Sequence, residues 1–118
     1  MEEKNQIVSS GIKSRIWIEK DGDIFLGYGR IELLKKVHET KSISAAAKAL
    51  NMSYKKAWRL MNTMNELAKE PLIIKNIGGK DGGGTTLTEY GKTIIKHFET
   101  INQNCMDFLD KEFEKLTF

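Results

Sequence analysis

Tyr54, Lys55, Trp58, Arg59 and Asn62 are the side chains whose types and spacing could do chemistry together. At ~100° per residue, a helix over this stretch puts Lys55, Arg59 and Asn62 on one side, with Tyr54 and Trp58 along one edge. Ala57, Met61, Met64 and Ala68 form an apolar stripe on the opposite side. Cations, an amide and aromatics at the first turns of a helix can reach phosphates and base edges when that helix enters a major groove. A solvated face behind a buried stripe gives the same wheel, so the flanking segments must separate the two readings.

Those segments supply a support for the helix. In Ser42 to Ala68, SISAAAKALNMSYKKAWRLMNTMNELA, the spacing predicts two helices joined by a tight turn. Ile43, Ala46, Ala47 and Leu50 share one face of the first helix, and its alanines allow close approach of the second. Asn51 suits the left-handed conformation that stops a helix, Met52 can bury in the corner, and Ser53 is a good N-cap for the next helix. The expected unit is a helix-turn-helix.

Charge follows the same segment. The chain has 118 residues and a net charge of +3, but residues 41–80 hold eight basic residues against Glu66 and Glu70. The remainder is mildly acidic. Positive charge concentrated on the motif is the footprint of a polyanion-binding surface. Hydrophobic residues make up 40% of the chain, enough for one domain with its own core. No apolar run approaches a membrane span, and MEEKNQ is not a signal peptide. The single cysteine, Cys105, permits no internal disulfide and suits a cytoplasmic location. His38 and His97 stand apart with no ligand cluster, so neither a metal nor a cofactor is expected. No nucleophile, base and orienting group converge, and catalysis is not expected.

In chain order, residues 1–10 are expected to be a frayed tail and residues 12–26 a β-hairpin around Asp21-Gly22, with Ile16 and Ile18 on one face and Trp17 on the other. A helix is expected over 30–40, with Ile31, Leu34 and Val37 inward and Leu33 on the flank. Pro71 closes the helix-turn-helix. Two short strands around GGKDGGG then make a second hairpin, or wing, over 71–87, with Lys80 near its tip. That loop is not a nucleotide phosphate loop, because Asp81 follows Lys80 and the chain returns to a strand. One long helix over 88–116 is expected, capped by Thr88. It bears one stripe at Ile94, Phe98, Ile101, Cys105 and Phe108, and a second at Ile95, Met106, Leu109, Phe113 and Leu116. Two apolar stripes exceed what a small core covers, so the far part of this helix is expected to be a dimer seam, with Ile94, Phe98, Ile101, Cys105, Phe108 and Leu109 in it.

The pieces SISAAAKAL, MSYKKAW and GGKDGGGTTLTEYG closely resemble the N-terminal DNA-binding domain of the ModE family of molybdate-responsive transcriptional regulators. LysR-type regulators share the helix-turn-helix more loosely, at Ala46, Ala47, Leu50, Ser53, Arg59 and Met61. The resemblance implies a mainly α fold with small β-hairpins: a winged helix-turn-helix with an N-terminal hairpin and a long C-terminal dimerisation helix. It also implies a homodimer on double-stranded DNA. Asp81 departs from the family's unbroken glycine run, which weakens the wing's expected contact with phosphate. The family's oxyanion-binding modules have no counterpart in these 118 residues, so molybdate binding is not expected of this chain alone.

The resulting expectation is a DNA-binding transcriptional regulator. Phosphate contacts fall to Lys41, Ser42, Ser44, Lys75, Lys80 and Thr85 or Thr86. Base readout falls to Ser53, Tyr54, Lys55, Arg59 and Asn62, with Lys56 and Trp58 beside them. The alternative is a winged-helix interaction adaptor, or a heterodimerising antagonist, that no longer binds DNA.

Overall fold

A computed structural model describes residues 10–76 and 84–117. The expected tail over 1–9 and the wing tip over 77–83, with Lys80 and Asp81, lie outside the described residues. The element order is β1 (Trp17–Lys20), β2 (Asp23–Gly27), α1 (Tyr28–Thr40), α2 (Ile43–Ala49), α3 (Tyr54–Leu67), β3 (Ile73–Asn76), β4 (Gly84–Leu87) and α4 (Glu89–Glu114). β1 pairs antiparallel with β2, and β3 with β4, as two separate two-stranded sheets. This is a winged helix-turn-helix.

The first hairpin turns at Asp21 and Gly22, whose φ values of 51° and 82° suit the twist of a two-residue turn. It is shorter than the expected 12–26, since Ile12 to Ile16 lie outside the strands. A bulge between Ile18 and Glu19 shifts the register. Ile16 and Ile18 pack on the core while Trp17 is exposed, as their alternation requires. α1 begins at Tyr28, two residues before the expected start, and takes Gly29 into its first turn. Leu33, expected on the flank, is fully buried with Leu34 and Val37, because α1 is covered by other elements on more than one side.

The helix-turn-helix forms as its sequence dictates. The Ser42 hydroxyl accepts from Ala45 N at 3.0 Å and caps α2; the Ser53 hydroxyl accepts from Lys56 N at 3.0 Å and caps α3. Asn51 takes φ 59°, Met52 N donates to Ala47 O (3.0 Å), and Asn51 N donates to Lys48 O (3.1 Å). That pattern ends α2 with its last carbonyls satisfied and fixes the angle to α3. Ala46, Ala47 and Ala57 are buried, and so are Met61 and Met64. Leu60 is buried as well, which widens the inward face of α3 beyond the stripe seen on the wheel.

The wing is tied to the motif at its base. Asn65 of α3 accepts from Leu72 N (2.8 Å) and Ile73 N (3.3 Å) through Oδ1, and donates to Ile73 O (3.0 Å) through Nδ2. One side chain thus serves as a strand edge for the start of β3. At the other strand, Thr85 N donates to Lys41 O at 3.0 Å. Gly84, at φ 110°, lies so near that carbonyl that a Cβ would stand 3.1 Å from it, so glycine is required on both counts.

α4 starts as expected, with the Thr88 hydroxyl accepting from Gly91 N at 2.9 Å. Gly91 is buried, and a Cβ there would collide with the Leu72 carbonyl oxygen and the Leu87 side chain. Ile95 and Phe98 enter the core, and Lys35 of α1 meets Glu99 at 2.7 Å. That hydrogen bond is the main cause holding the Lys35 ammonium above its ordinary pKa. Phe98 therefore belongs to the core of its own chain rather than to a seam. Beyond it, Ile101, Met106 and Phe108 are exposed.

Asn65→Ala strips partners from the backbone of Leu72 and Ile73 at once. It is expected to cost about 1–3 kcal/mol of stability, read as a lowered melting temperature with the helical content of the folded state unchanged.

Candidate nucleic-acid interface

α2 and α3 cross behind a surface whose centre is the solvent side of α3. Lys55, Lys56, Arg59 and Asn62 are all exposed there, with Tyr54 and Trp58 about half exposed. The two flanks of α3 differ. Toward the wing, Trp58, Asn62 and Lys75 border one groove, and Ser42, Ser44 and Tyr54 meet Lys75 around a second, nearer the helix start. Lys56 and Arg59 lie on the other flank, toward the first hairpin, as the ~100° step requires.

The structure therefore gathers Ser42, Ser44, Tyr54, Trp58, Asn62 and Lys75, drawn from three elements, around one face. The Ser42 and Ser53 hydroxyls are engaged as acceptors by their caps, which leaves each hydroxyl proton free to donate outward. Asn62 Nδ2 donates to Glu66 Oε2 at 3.1 Å, so its amide is held along the helix rather than free to rotate. Lys41 is exposed, with φ 61° where α1 ends.

The two wing threonines divide differently from expectation. Thr85 is nearly buried at 3% exposure, and it lines the groove that Ser42, Ser44, Tyr54 and Lys75 share. Thr86 lies on the opposite face of the strand, exchanging hydrogen bonds with Asn76 at 2.9 and 3.2 Å. Of the wing residues expected at phosphate, Lys75 is the one the described structure sets beside α3. It pairs across the hairpin with Thr85.

Electrostatics set this face apart. Lys35, Lys36, Lys92 and Lys115, on α1 and α4 or at their ends, are neutralised by Glu99, Glu39, Glu89 and Glu112 at 2.7–2.9 Å. Glu39 and Glu89 are held below the usual carboxylate range chiefly by their hydrogen bonds to Lys36 and Lys92. No ion pair is formed by Lys55, Lys56, Arg59 or Lys75 among the described residues. Nor do three His, Cys, Asp or Glu side chains gather as a metal site among those residues, and no described helix is long and apolar enough to cross a membrane. Two residues escaped the sequence reading. Asn65 sits beside the buried stripe on the wheel, a polar side chain in an apolar place, which was the available signal. Arg30 gave none, because only the packing of α1 on α3 brings it near Arg59.

Comparison with known proteins places the same segment. Residues 28–92 match the family described as bacterial regulatory helix-turn-helix protein, lysR family. The molybdenum transport protein ModE of Azotobacter vinelandii is 39% identical over 103 residues, covering 87% of this chain and 38% of that protein. The transcriptional regulator ModE of Yersinia pestis is 44% identical over 89 residues, or 73% of this chain and 34% of that protein. The DNA-binding transcriptional dual regulator ModE of Escherichia coli (strain K12) is 41% identical over 80 residues, or 68% of this chain and 30% of that protein. The chain spans about a third of the length of these curated relatives.

Ser53→Ala removes the cap of α3 and is expected to cost about 1 kcal/mol of stability, while Ser53→Asp restores it; thermal melts of the two variants check this.

Proposed function

The chain belongs to the lysR family of bacterial regulatory helix-turn-helix proteins, and from that premise we propose that it is a sequence-specific, duplex-DNA-binding transcriptional regulator of the ModE type, acting as a homodimer. The observation that supports this is the exposed face of α3. Cations, an amide and aromatics stand there without ion-pair partners, on a helix whose angle is fixed by two serine caps and the Asn51 turn. In the proposed complex α3 lies in the major groove. Lys55, Arg59 and Asn62 face base edges, with Ser53, Tyr54, Lys56 and Trp58 beside them. Lys75, Lys41, Ser42 and Ser44 flank the helix and take backbone phosphates, fixing orientation without reading sequence.

The second copy is proposed to seat on the far half of α4. This helix runs 26 residues, and its buried side chains end at Phe98. Ile101 and Phe108, one heptad apart on one stripe, remain 49% and 61% exposed. Pairing of that stripe with its own copy buries it, and two-fold symmetry then sets two recognition helices on an inverted repeat.

A salt titration of binding to duplex DNA tests the main reading: log K is expected to fall steeply and linearly with log salt, whereas an interaction module without DNA shows no such slope. Two variants divide the roles. Arg59→Ala is expected to lose about 1–3 kcal/mol on the preferred sequence while binding other sequences nearly as before. Lys75→Ala is expected to weaken binding on all sequences and flatten the slope by about one unit. For the assembly, light scattering of the parent should give the mass of a dimer. Replacing Ile101 and Phe108 together with Lys should give a folded monomer that has lost the avidity of paired half-sites.

A further inference from the structure

We infer that Arg30 is a further contact to the DNA backbone, holding a phosphate beside Arg59 on the flank of α3 opposite the wing. The inference rests on the DNA-binding reading above and names a residue that reading did not contain.

Arg30 is the third residue of α1, and its first turn carries no acidic side chain. The Arg30 Nε is buried with no hydrogen-bond partner. Neither the Arg30 nor the Arg59 guanidinium forms an ion pair or hydrogen bond with another described residue, so both charges go unanswered. Burial, and then the charge of Arg59, push Arg30 below its ordinary pKa, while Asp23 acts in the opposite sense. The fold thus holds two guanidinium groups within reach of one another, with one carboxylate acting against them.

Such an arrangement costs stability in the free protein, and an anion seated on Arg30 relieves it. A guanidinium fork suits a phosphate in particular, because its parallel N–H groups match two oxygens. Position decides which anion. A helix in a major groove about 12 Å wide has a sugar-phosphate strand on either side. Lys75 stands on the wing flank of α3 and Arg30 on the hairpin flank. Together they straddle the recognition helix, one cation to each strand.

The test is a salt titration on a mixed-sequence duplex with the parent, Arg30→Gln, Arg30→Lys and Arg59→Ala, each with its melting temperature. Arg30→Gln is expected to bind several-fold more weakly and to flatten the slope by about one unit, with Arg30→Lys keeping the parental slope. A parental slope in Arg30→Gln alongside a steep salt slope in the parent overturns the role of Arg30 and leaves the DNA-binding reading standing. A parent with no salt dependence overturns both. Should Arg30→Gln melt lower than the parent, the Lys variant decides: a retained slope supports the phosphate contact, and equal flattening in both variants makes Arg30 a packing residue only.

Discussion

The Leu72 peptide is the junction on which the geometry of this fold depends. Its N–H is taken by Asn65 Oδ1 at 2.8 Å, and its carbonyl accepts from Thr88 N at 2.9 Å. The same carbonyl packs on Gly91, and the Leu72 side chain is fully buried. The recognition helix, the wing and the long terminal helix therefore meet at one residue. Each hydrogen bond is worth only about 0.5–1.5 kcal/mol net, but leaving any buried group unpaired costs more. The result is a joint without slack. α3 cannot tilt without moving the root of β3, and α4 cannot slide without striking the Leu72 carbonyl.

A second joint completes the frame. Lys41 ends α1 in a left-handed conformation, with its N–H on Val37 O at 2.7 Å, and its carbonyl then receives Thr85 N. A non-glycine residue with positive φ is uncommon, and here it turns the chain sharply into α2 while presenting a carbonyl to the wing. The wing is thus fixed at both strands, by Asn65 to α3 and by Lys41 to the corner between α1 and α2. Lys75 is held at a set distance from the exposed face of α3 for that reason, as the phosphate contact proposed for it requires.

Much of this was legible in the sequence because it is local. Caps at Ser53 and Thr88, the left-handed Asn51, the Asp21-Gly22 turn and the inward stripe of α3 each follow from a few neighbouring residues, and the structure has all of them. What was illegible is what distant elements do to one another. Leu33 became core because α1 is covered on more sides than one stripe implies. Thr85 became nearly buried because its strand is drawn onto the Lys41 carbonyl. The packing of α1 on α3 brings Arg30 to Arg59, and no periodicity reveals that. Phe98 and Ile101 fall on adjoining positions of the same apolar stripe, yet one is in the core and the other in solvent. Where the small core ends along α4 is a property of three dimensions.

The distribution of ion pairs links the frame to the proposed function. Lys35 and Lys36 of α1, Lys92 of α4 and Lys115 at its end are matched to glutamates one helical turn away or across the helix packing, while Lys96 and Lys111 of α4 are not, among the described residues. On α3 and β3 the cations have no such partners. Exposed pairs are worth little to stability, so their placement is weak evidence about folding. It bears instead on where the field of the molecule is directed. In the proposed function, pairing lysines elsewhere and leaving the exposed face of α3 unpaired favours positive potential on that side, which would steer a polyanion to it. Unpaired cations held near one another cost the free protein some stability, and in the proposed complex that cost would be recovered on meeting the polyanion. Binding free energy and the strain of the unbound face are, in this sense, one quantity.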